Sequence, residues 1–355
     1  EWSQGAMREP FILGGYAGCV DKDTQFLSPD GWIDIDKWNG EKVMQYDMTN
    51  REASFTTPDG YVVKDEEFFN HFKTTHGIDQ MLCDSHNVVY ETSKGNLNKK
   101  PAWEVKKMHE ASQSGFTGKF PTSFSIASEG DGIPFSNAQL RLLVAVFADG
   151  HFKSNTSRCV INLKKFRKKA RIMELLEEAG IEYTVYNKTK SGTGYTTFTF
   201  DSPLAAKKYP STWFSLATQG QCYLIKEESR KWDGSEGVGN RAGSFSSNSK
   251  SCADFIQYCW HSCGFRAPIK ADVREGRNTN YSVVGTIRDM PKIGLRRATQ
   301  KPVIERVPSL DGKKYCFEVP TGCLVLRRND HIFVTGNTGK TFLLGHTISQ
   351  DLGYQ

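Results

Sequence analysis

Three residues, one near the start of the chain and two adjacent near its end, carry a complementary set of reactive groups. Cys19 follows Gly18, so a thiol stands next to an unhindered glycyl carbonyl and can attack the peptide bond that precedes it. Asn337 carries a carboxamide that can attack its own carbonyl, closing a succinimide and breaking the bond to Thr338. Thr338 offers a hydroxyl that can accept an acyl group. Taken singly, a lone cysteine is usually a small core residue and Asn-Thr an ordinary turn. What flanks them changes the weighing. Gly15-Tyr16-Ala17-Gly18 joined to Thr338-Gly339-Lys340-Thr341 reads G-x-x-x-x-G-K-T, a complete phosphate-binding loop. It is preceded by the strand-like FIL and followed by the helix-like FLLGHTIS. As the chain stands, Val334 occupies the place of the first glycine, so the loop is broken. Nucleotide binding by Gly15, Gly18, Gly339, Lys340 and Thr341 is therefore expected only after residues 19–337 have left.

Composition bounds the setting for this chemistry. The 355 residues suffice for two or three domains, and 38% hydrophobic with 24% charged content is that of a globular protein. The longest apolar run, Leu142 to Ala148, is far short of the ~20 residues that span a bilayer. No signal-peptide pattern opens the chain, and nine cysteines include no C-x-x-C pair. The expectation is a reduced, cytoplasmic monomer with no membrane partner. The net charge of +6 is a mild hint of a polyanionic partner.

The elements that must position these residues change texture along the chain. TQFLS, EKVMQYD, ASFTT, GYVVKD and NVVYE read as short strands, with turns at Asp30-Gly31 and Asn39-Gly40. From about 135 the pattern becomes helical. Leu140, Leu143, Val144 and Phe147 make one apolar face, and KKFRKKARIMELLEEAG is a basic-to-acidic amphipathic helix ending at Gly180. Strands return in KKYCFEVPTGCLVLRRNDHIFVTGN. The middle also repeats: a helix closes on Asp149-Gly150, strands follow, and a second helix ends at Gly180. CYLIKEESRKW closes on Asp233-Gly234, and CADFIQYCWHSC ends at Gly264 after the same number of residues.

These stretches resemble the inteins, the protein-splicing elements. CVDKDTQFLSPDGW resembles their N-terminal block, MLCDSHNVV their internal T-x-x-H block, and YCFEVP with LRRNDHIFVTGNT their C-terminal blocks. The resemblance implies a mostly β splicing domain of the Hint type, a horseshoe of strands, interrupted by an α/β domain. It implies Cys19 as nucleophile, His86 as the group that strains and protonates the Gly18–Cys19 bond, Asn337 as the cyclising residue and Thr338 as acceptor. No cofactor is implied for splicing, and the flanking segments act in cis. Three positions depart from the family: Cys83 stands for threonine, Cys316 for a common aspartate, and Gly336 for the penultimate histidine. Cys316 can relay a proton or merely pack, and His331 is the stand-in for the missing histidine.

LLVAVFADG and LIKEESRKWDG resemble the motif helices of LAGLIDADG homing endonucleases, which imply a duplicated αββα unit. Asp149 and Asp233 are then the carried-over catalytic ligands of Mg2+, and double-stranded DNA, the uninterrupted host site, is the partner. Glu228 and Trp232 stand where small residues are expected between close helices. Lys164, Lys165, Arg167, Lys168, Lys169 and Arg171, with Lys153 and Arg241, are candidate DNA contacts. The resulting division is 1–18 and 338–355 as host flanks, 19–125 and 296–337 as splicing parts, and 126–295 as endonuclease. Two alternatives stay open: a P-loop NTPase with a permanent DNA-binding insertion, and a DNA-binding protein with an inert β scaffold.

Overall fold

Most of the strands expected from local pattern form where the sequence places them. TQFLS folds as Thr24–Ser28 and turns onto Gly31–Asp34; Val43–Asp47 pairs antiparallel with Glu52–Thr56, and Asn87–Glu91 with Leu97–Pro101. The computed structural model describes residues 18–74, 77–112, 116–127, 130–153, 156–188, 194–288, 290–293 and 304–336. Gly15, Asn337, Thr338, Gly339, Lys340 and Thr341 lie outside the described residues.

The early strands do not form a sheet by themselves. The hairpin Cys323–Arg328/His331–Gly336 enters between Val43–Asp47 and Asn87–Glu91, completing a nine-stranded sheet among the described residues. Its two-residue turn, Asn329-Asp330, has φ of 44° and 61°, the left-handed pair whose twist matches that of flanking strands. Two further pairings repeat the interleaving. Lys313–Glu318 pairs with Gly60–Asp65, and Ile304–Pro308 flanks Phe68–Lys73, which also pairs with Asp79–Leu82. The two ends of the described chain are thus woven into common sheets. Helix α1 (Ala102–Ala111) follows this first set of strands directly.

The region between is built from helices and two four-stranded sheets. Helix α2 (Asn137–Asp149) starts on a reciprocal capping box between Ser136 and Gln139, which satisfies two backbone donors at the helix start. Two strands, α3 (Phe166–Glu178) and two more strands follow, with Arg158–Leu163 and Tyr195–Asp201 paired at the sheet centre. After the short α4 (Trp213–Leu216), helix α5 (Gln219–Trp232) begins on the same kind of box, Thr218 with Gln221. Two strands, α6 (Lys250–Ser262) and two strands follow again, and the strand order matches that of the first sheet.

The apolar core ignores the change of texture. Leu27, Val325, Ile332 and Val334 of the nine-stranded sheet share one buried cluster with Phe255 and Tyr258 of α6 and with Leu143 of α2. Each such side chain contributes roughly 1.5–3 kcal/mol by leaving water. Polar groups fix the seam: Arg327 Nη1 lies 2.5 Å from Asp254, and Lys250 Nζ 2.7 Å from Asp330. Gln257 Nε2 donates to the Asp330 carbonyl at 2.7 Å. His261 bridges Thr122 O (2.7 Å) and the Ala267 N–H (3.0 Å), which sets it as a neutral ring protonated at Nδ1. Among the described residues no helix is long and apolar enough to cross a membrane.

Candidate functional site

Backbone pairing, more than side-chain packing, brings the distant junction residues together. Val20 exchanges two hydrogen bonds with Tyr315, both 2.9 Å, and also bridges Leu82. The segment Gly18–Val20 is therefore held between a strand from each end of the chain. Cys83 N–H donates to Cys19 O at 3.0 Å, and Cys19 N–H donates to Cys83 Sγ at 3.2 Å. Cys83, where the resemblance leads one to expect a threonine donor, serves here as an acceptor. From the other side, Cys316 Sγ donates to Gly18 O at 2.7 Å. Of its two expected roles, packing alone is set aside: this thiol polarises the carbonyl that Cys19 would attack.

Cys19, Cys83 and Cys316 form a small buried cluster with Phe69 and Met81. The hydrogen bond shared with Cys316 pushes the Cys19 thiol well above its usual range, burial adds to this, and Cys83 pulls the other way. Cys83 is raised by its bond to Cys19 and by burial. A thiolate is thus disfavoured, and attack requires that the thiol proton be taken as the bond forms.

His86 is the base at hand. Its ring is fully buried, and burial lowers it to about 4 although the Gly18 backbone favours the charged form, so it is neutral at pH 7. Nε2 is hydrogen-bonded to Thr335 Oγ1. Thr335 also donates to Asn87 O at 3.4 Å, which leaves it to accept from Nε2–H and leaves Nδ1 as the basic atom. Nδ1 faces Gly18: a Cβ there would lie 3.2 Å from it and 2.8 Å from His86 Cα, a clash only glycine avoids. Gly336 is held the same way, since a Cβ would lie 3.1 Å from the Asn87 carbonyl and 3.2 Å from Lys99. Gly336 pairs with Asn87, and a Cβ at Gly18 would lie 3.3 Å from Asn87 N. Both junction segments therefore abut the dipeptide His86-Asn87.

His331 is not part of this arrangement. It sits at the turn end of the strand His331–Gly336, paired with Arg328, and its Nδ1 is bonded to Asn329 O at 2.7 Å. Strand geometry separates it from Gly336 by five residues, roughly 17 Å at ~3.3 Å per residue. Its expected role as substitute for the penultimate histidine is therefore corrected. A residue the sequence reading missed takes a place near the junction instead. Thr335, next to Gly336 on the strand His331–Gly336, is the partner of His86 Nε2. Arg328, also missed, fastens the segment after Cys19 to the hairpin through Asp21 (3.0 Å) and Asp79 (2.6 Å). Against desolvation, hydrogen bonds from His71 and Asn329 and the Arg328 charge hold Asp79 well below the usual carboxylate range.

The second candidate site lies at the ends of α2 and α5. Asp149 is the last residue of α2 and Asp233 the C-cap of α5. Both carboxylates bond one ammonium: Lys168 Nζ is 2.5 Å from Asp149 Oδ2 and 3.4 Å from Asp233 Oδ1. Burial first, then the Asp149 charge, raises Asp233, with Lys168 opposing. The donors suit a hard cation in kind, but the ammonium stands between them. Among the described residues, no three His, Cys, Asp or Glu side chains gather into a metal-binding group. As arranged, the pair does not fit a divalent ion.

The basic helix also differs from expectation. Lys168 and Arg171 turn inward, and Arg171 pairs with Glu228, which is buried and also accepts from Trp232 Nε1 at 2.9 Å. Arg167 donates to Lys231 O at 2.6 Å. The residues that displaced small side chains on α5 are thus satisfied by α3. Lys164, Lys165, Lys153 and Arg241 remain exposed.

No family model matches the chain. A ribonucleoside-diphosphate reductase subunit beta of Aquifex aeolicus (strain VF5) is 23% identical over 356 residues, covering 90% of this chain and 50% of that protein. The chain thus spans about half the length of the curated relative it matches. Among solved structures, an AceL NrdHF class 3 split intein, in a splice-inactive form, aligns with 90% of this chain and 97% of its own. Identity there is 9% and the TM-score 0.33. I-DmoI in complex with DNA and Mn aligns with 43% of this chain and 91% of its own, at 16% identity and TM-score 0.31. The N-terminal LAGLIDADG domain of DUF199/WhiA aligns with 44% and 81%, at 14% identity and TM-score 0.31. Likenesses this distant leave the reading of the site to its own geometry.

Proposed function

We propose that this chain is a self-splicing element of the intein kind that carries a DNA-binding region of the homing-endonuclease kind. The observation that carries the reading is the Gly18–Cys19 junction, where Cys316 donates to the very carbonyl oxygen that attack would charge. Cys19 Sγ attacks the Gly18 carbonyl carbon while His86 Nδ1 takes the thiol proton. The proton then passes to the departing Cys19 nitrogen, giving a thioester and an amine. The Thr338 hydroxyl next displaces the thiol, carrying the Gly18 acyl group as an ester. Asn337 closes its succinimide and breaks the bond to Thr338, and the ester shifts to the freed amine as a peptide bond. Each step exchanges one acyl bond for another, so no cofactor or outside energy is needed.

In this reading 19–125 with 296–337 is the splicing part, 126–295 is a duplicated DNA-binding insert, and 1–18 with 338–355 are host flanks. Ligation would restore the phosphate-binding loop from Gly15 to Thr341, inside a cell. The matched capping boxes and matched strand orders support the duplication. Magnesium-dependent cleavage of DNA depends on the state of the carboxylate pair.

The test is to incubate the full chain and weigh the products. An excised fragment Cys19–Asn337 and a ligated peptide of the two flanks are expected, and Cys19→Ala should yield no ligated peptide. An unchanged mass in the native chain would favour a permanent insertion, and ligation in Cys19→Ala would end the assignment.

A further inference from the structure

We propose that Lys168 is the resident cation of the Asp149–Asp233 pair, so that a divalent metal enters only by displacing it. The inference rests on the nuclease-type reading of the insert and goes beyond it, because it makes this chain's own side chain the competitor for the metal.

Three observations carry it. The first is placement: one ammonium reaches carboxylates from two different helices, at 2.5 and 3.4 Å, so it occupies the point both donors share. The second is confinement. The Lys168 side chain keeps only 11% of its exposure, and its Nζ also lies 5.7 Å from the Trp232 ring centroid. The third is that α3 cannot easily withdraw it. One residue before, Arg167 holds Lys231 O, and three residues after, Arg171 holds the buried Glu228. Lys168 is therefore the middle of three contacts that staple α3 along the last turns of α5.

Access alone would not keep a metal out. Asp149 and Asp233 side chains are 25% and 35% exposed, and a cleft of about 500 Å³ opens beside Asp233, lined also by Lys207, Ser246 and Asn280. Lys207 is the other cation nearby, but its Nζ is spent on the Val146 and Ala148 carbonyls at the end of α2, 3.1 Å from each. Among the described residues, the second half of the insert has no counterpart to Lys168 at the pair. Lys250, near the start of α6, is turned instead to Asp254 and Asp330 across the seam. One internal charge thus does for both carboxylates what a bound ion would do, at no cost in metal.

The experiment uses the full chain with Cys19→Ala to prevent splicing, comparing Lys168 with Lys168→Met. Calcium and magnesium are titrated separately by calorimetry, and thermal unfolding is followed with and without each ion. Without metal, Lys168→Met should melt at a lower temperature, because two carboxylates are left facing each other. With metal the variant should recover, and its affinity should exceed that of the parent on the order of tenfold or more, the effect of removing one competing charge at contact distance. Lys168→Met combined with Asp149→Asn relieves the repulsion and serves if the single variant does not fold. That double variant should melt near the parent and lose the gained affinity.

Equal metal affinity in parent and Lys168→Met would overturn the proposal while leaving the nuclease-type reading intact. Failure of Lys168→Met to bind either ion would overturn it too and would also remove the metal from that reading. Loss of duplex DNA binding by the parent, scored in the same preparations by fluorescence anisotropy, would count against the nuclease-type reading alone.

Discussion

The two candidate centres of this molecule solve opposite electrostatic problems. Around Gly18 the working groups are three thiols, a neutral imidazole and a hydroxyl, all buried and gathered about one peptide bond, with the Thr335 hydroxyl acting through His86. At the ends of α2 and α5 the groups are charged, and each charge is met by another within the chain. A neutral centre can be buried cheaply and still react, because proton transfer creates charge only as the bond changes. A charged centre survives burial only when neutralised, and a neutralised centre must be opened before it can act. The comparison suggests a splicing centre that is ready as folded and a carboxylate pair that is not.

The contrast can be broken most sharply at His86. His86→Ala should slow the first acyl shift by about 10²–10⁴-fold, the range for a positioned acid–base group, measured as thioester trapped by an added thiol. An unchanged rate would mean that the neutral centre has another base. Cys316→Ala should cost about 10²-fold in the same step, since one donor to the developing oxyanion is lost. Cys316→Ser, which keeps a donor, should recover part of this; if it does not, the thiol has some role other than donating.

On the charged side, Glu228→Gln should lower stability by about 1–2 kcal/mol in urea titrations, because Arg171 loses its buried counter-charge and keeps only the exposed Glu174. A change below a few tenths would show that the stapling of α3 is ornamental. The most gradual effect is the pH response. His86 and His261 are both lowered to about 4 by burial, from an ordinary value of 6.5. The unfolded chain therefore binds more protons between pH 6.5 and 4, and stability should fall as pH drops through that window. The slope should be at most ~1.4 kcal/mol per unit for each histidine, fading over about one pH unit above 6.5. His331→Ala should leave the splicing rate unchanged.

The sequence was legible where chemistry or period is local. The helices α2, α3, α5 and α6 follow from apolar spacing and Gly or Asp-Gly ends, and Thr24–Ser28 from the Asp30-Gly31 turn that bounds it. Phe68–Lys73 and Asp79–Leu82 were not read, because FFNHFK and DQML do not alternate; they pair with each other, and Phe68–Lys73 also takes a partner far along the chain, Ile304–Pro308. Cys19, His86 and Cys316 were legible as residues, and the structure brings them together, whereas the acceptor role of Cys83 and the Thr335 contact needed the weave of both chain ends. For the basic helix, Arg167, Lys168 and Arg171 were legible as part of one run of cations. The run could not say that α5 and its carboxylates lie opposite these three.

The hairpin turn at Asn329-Asp330 bears on how such a molecule can evolve. Lys250 and Gln257 of α6 grip Asp330, and Arg327 beside it reaches Asp254, while the other end of the hairpin carries Gly336. A lineage that discarded the insert would uncover Leu27, Val325, Ile332 and Val334 and strip Arg327 of its counter-charge. On the proposed reading, decay of an idle nuclease would therefore proceed by substitution, one side chain at a time, far more readily than by deletion. The insert would be retained as scaffolding long after its original usefulness had lapsed.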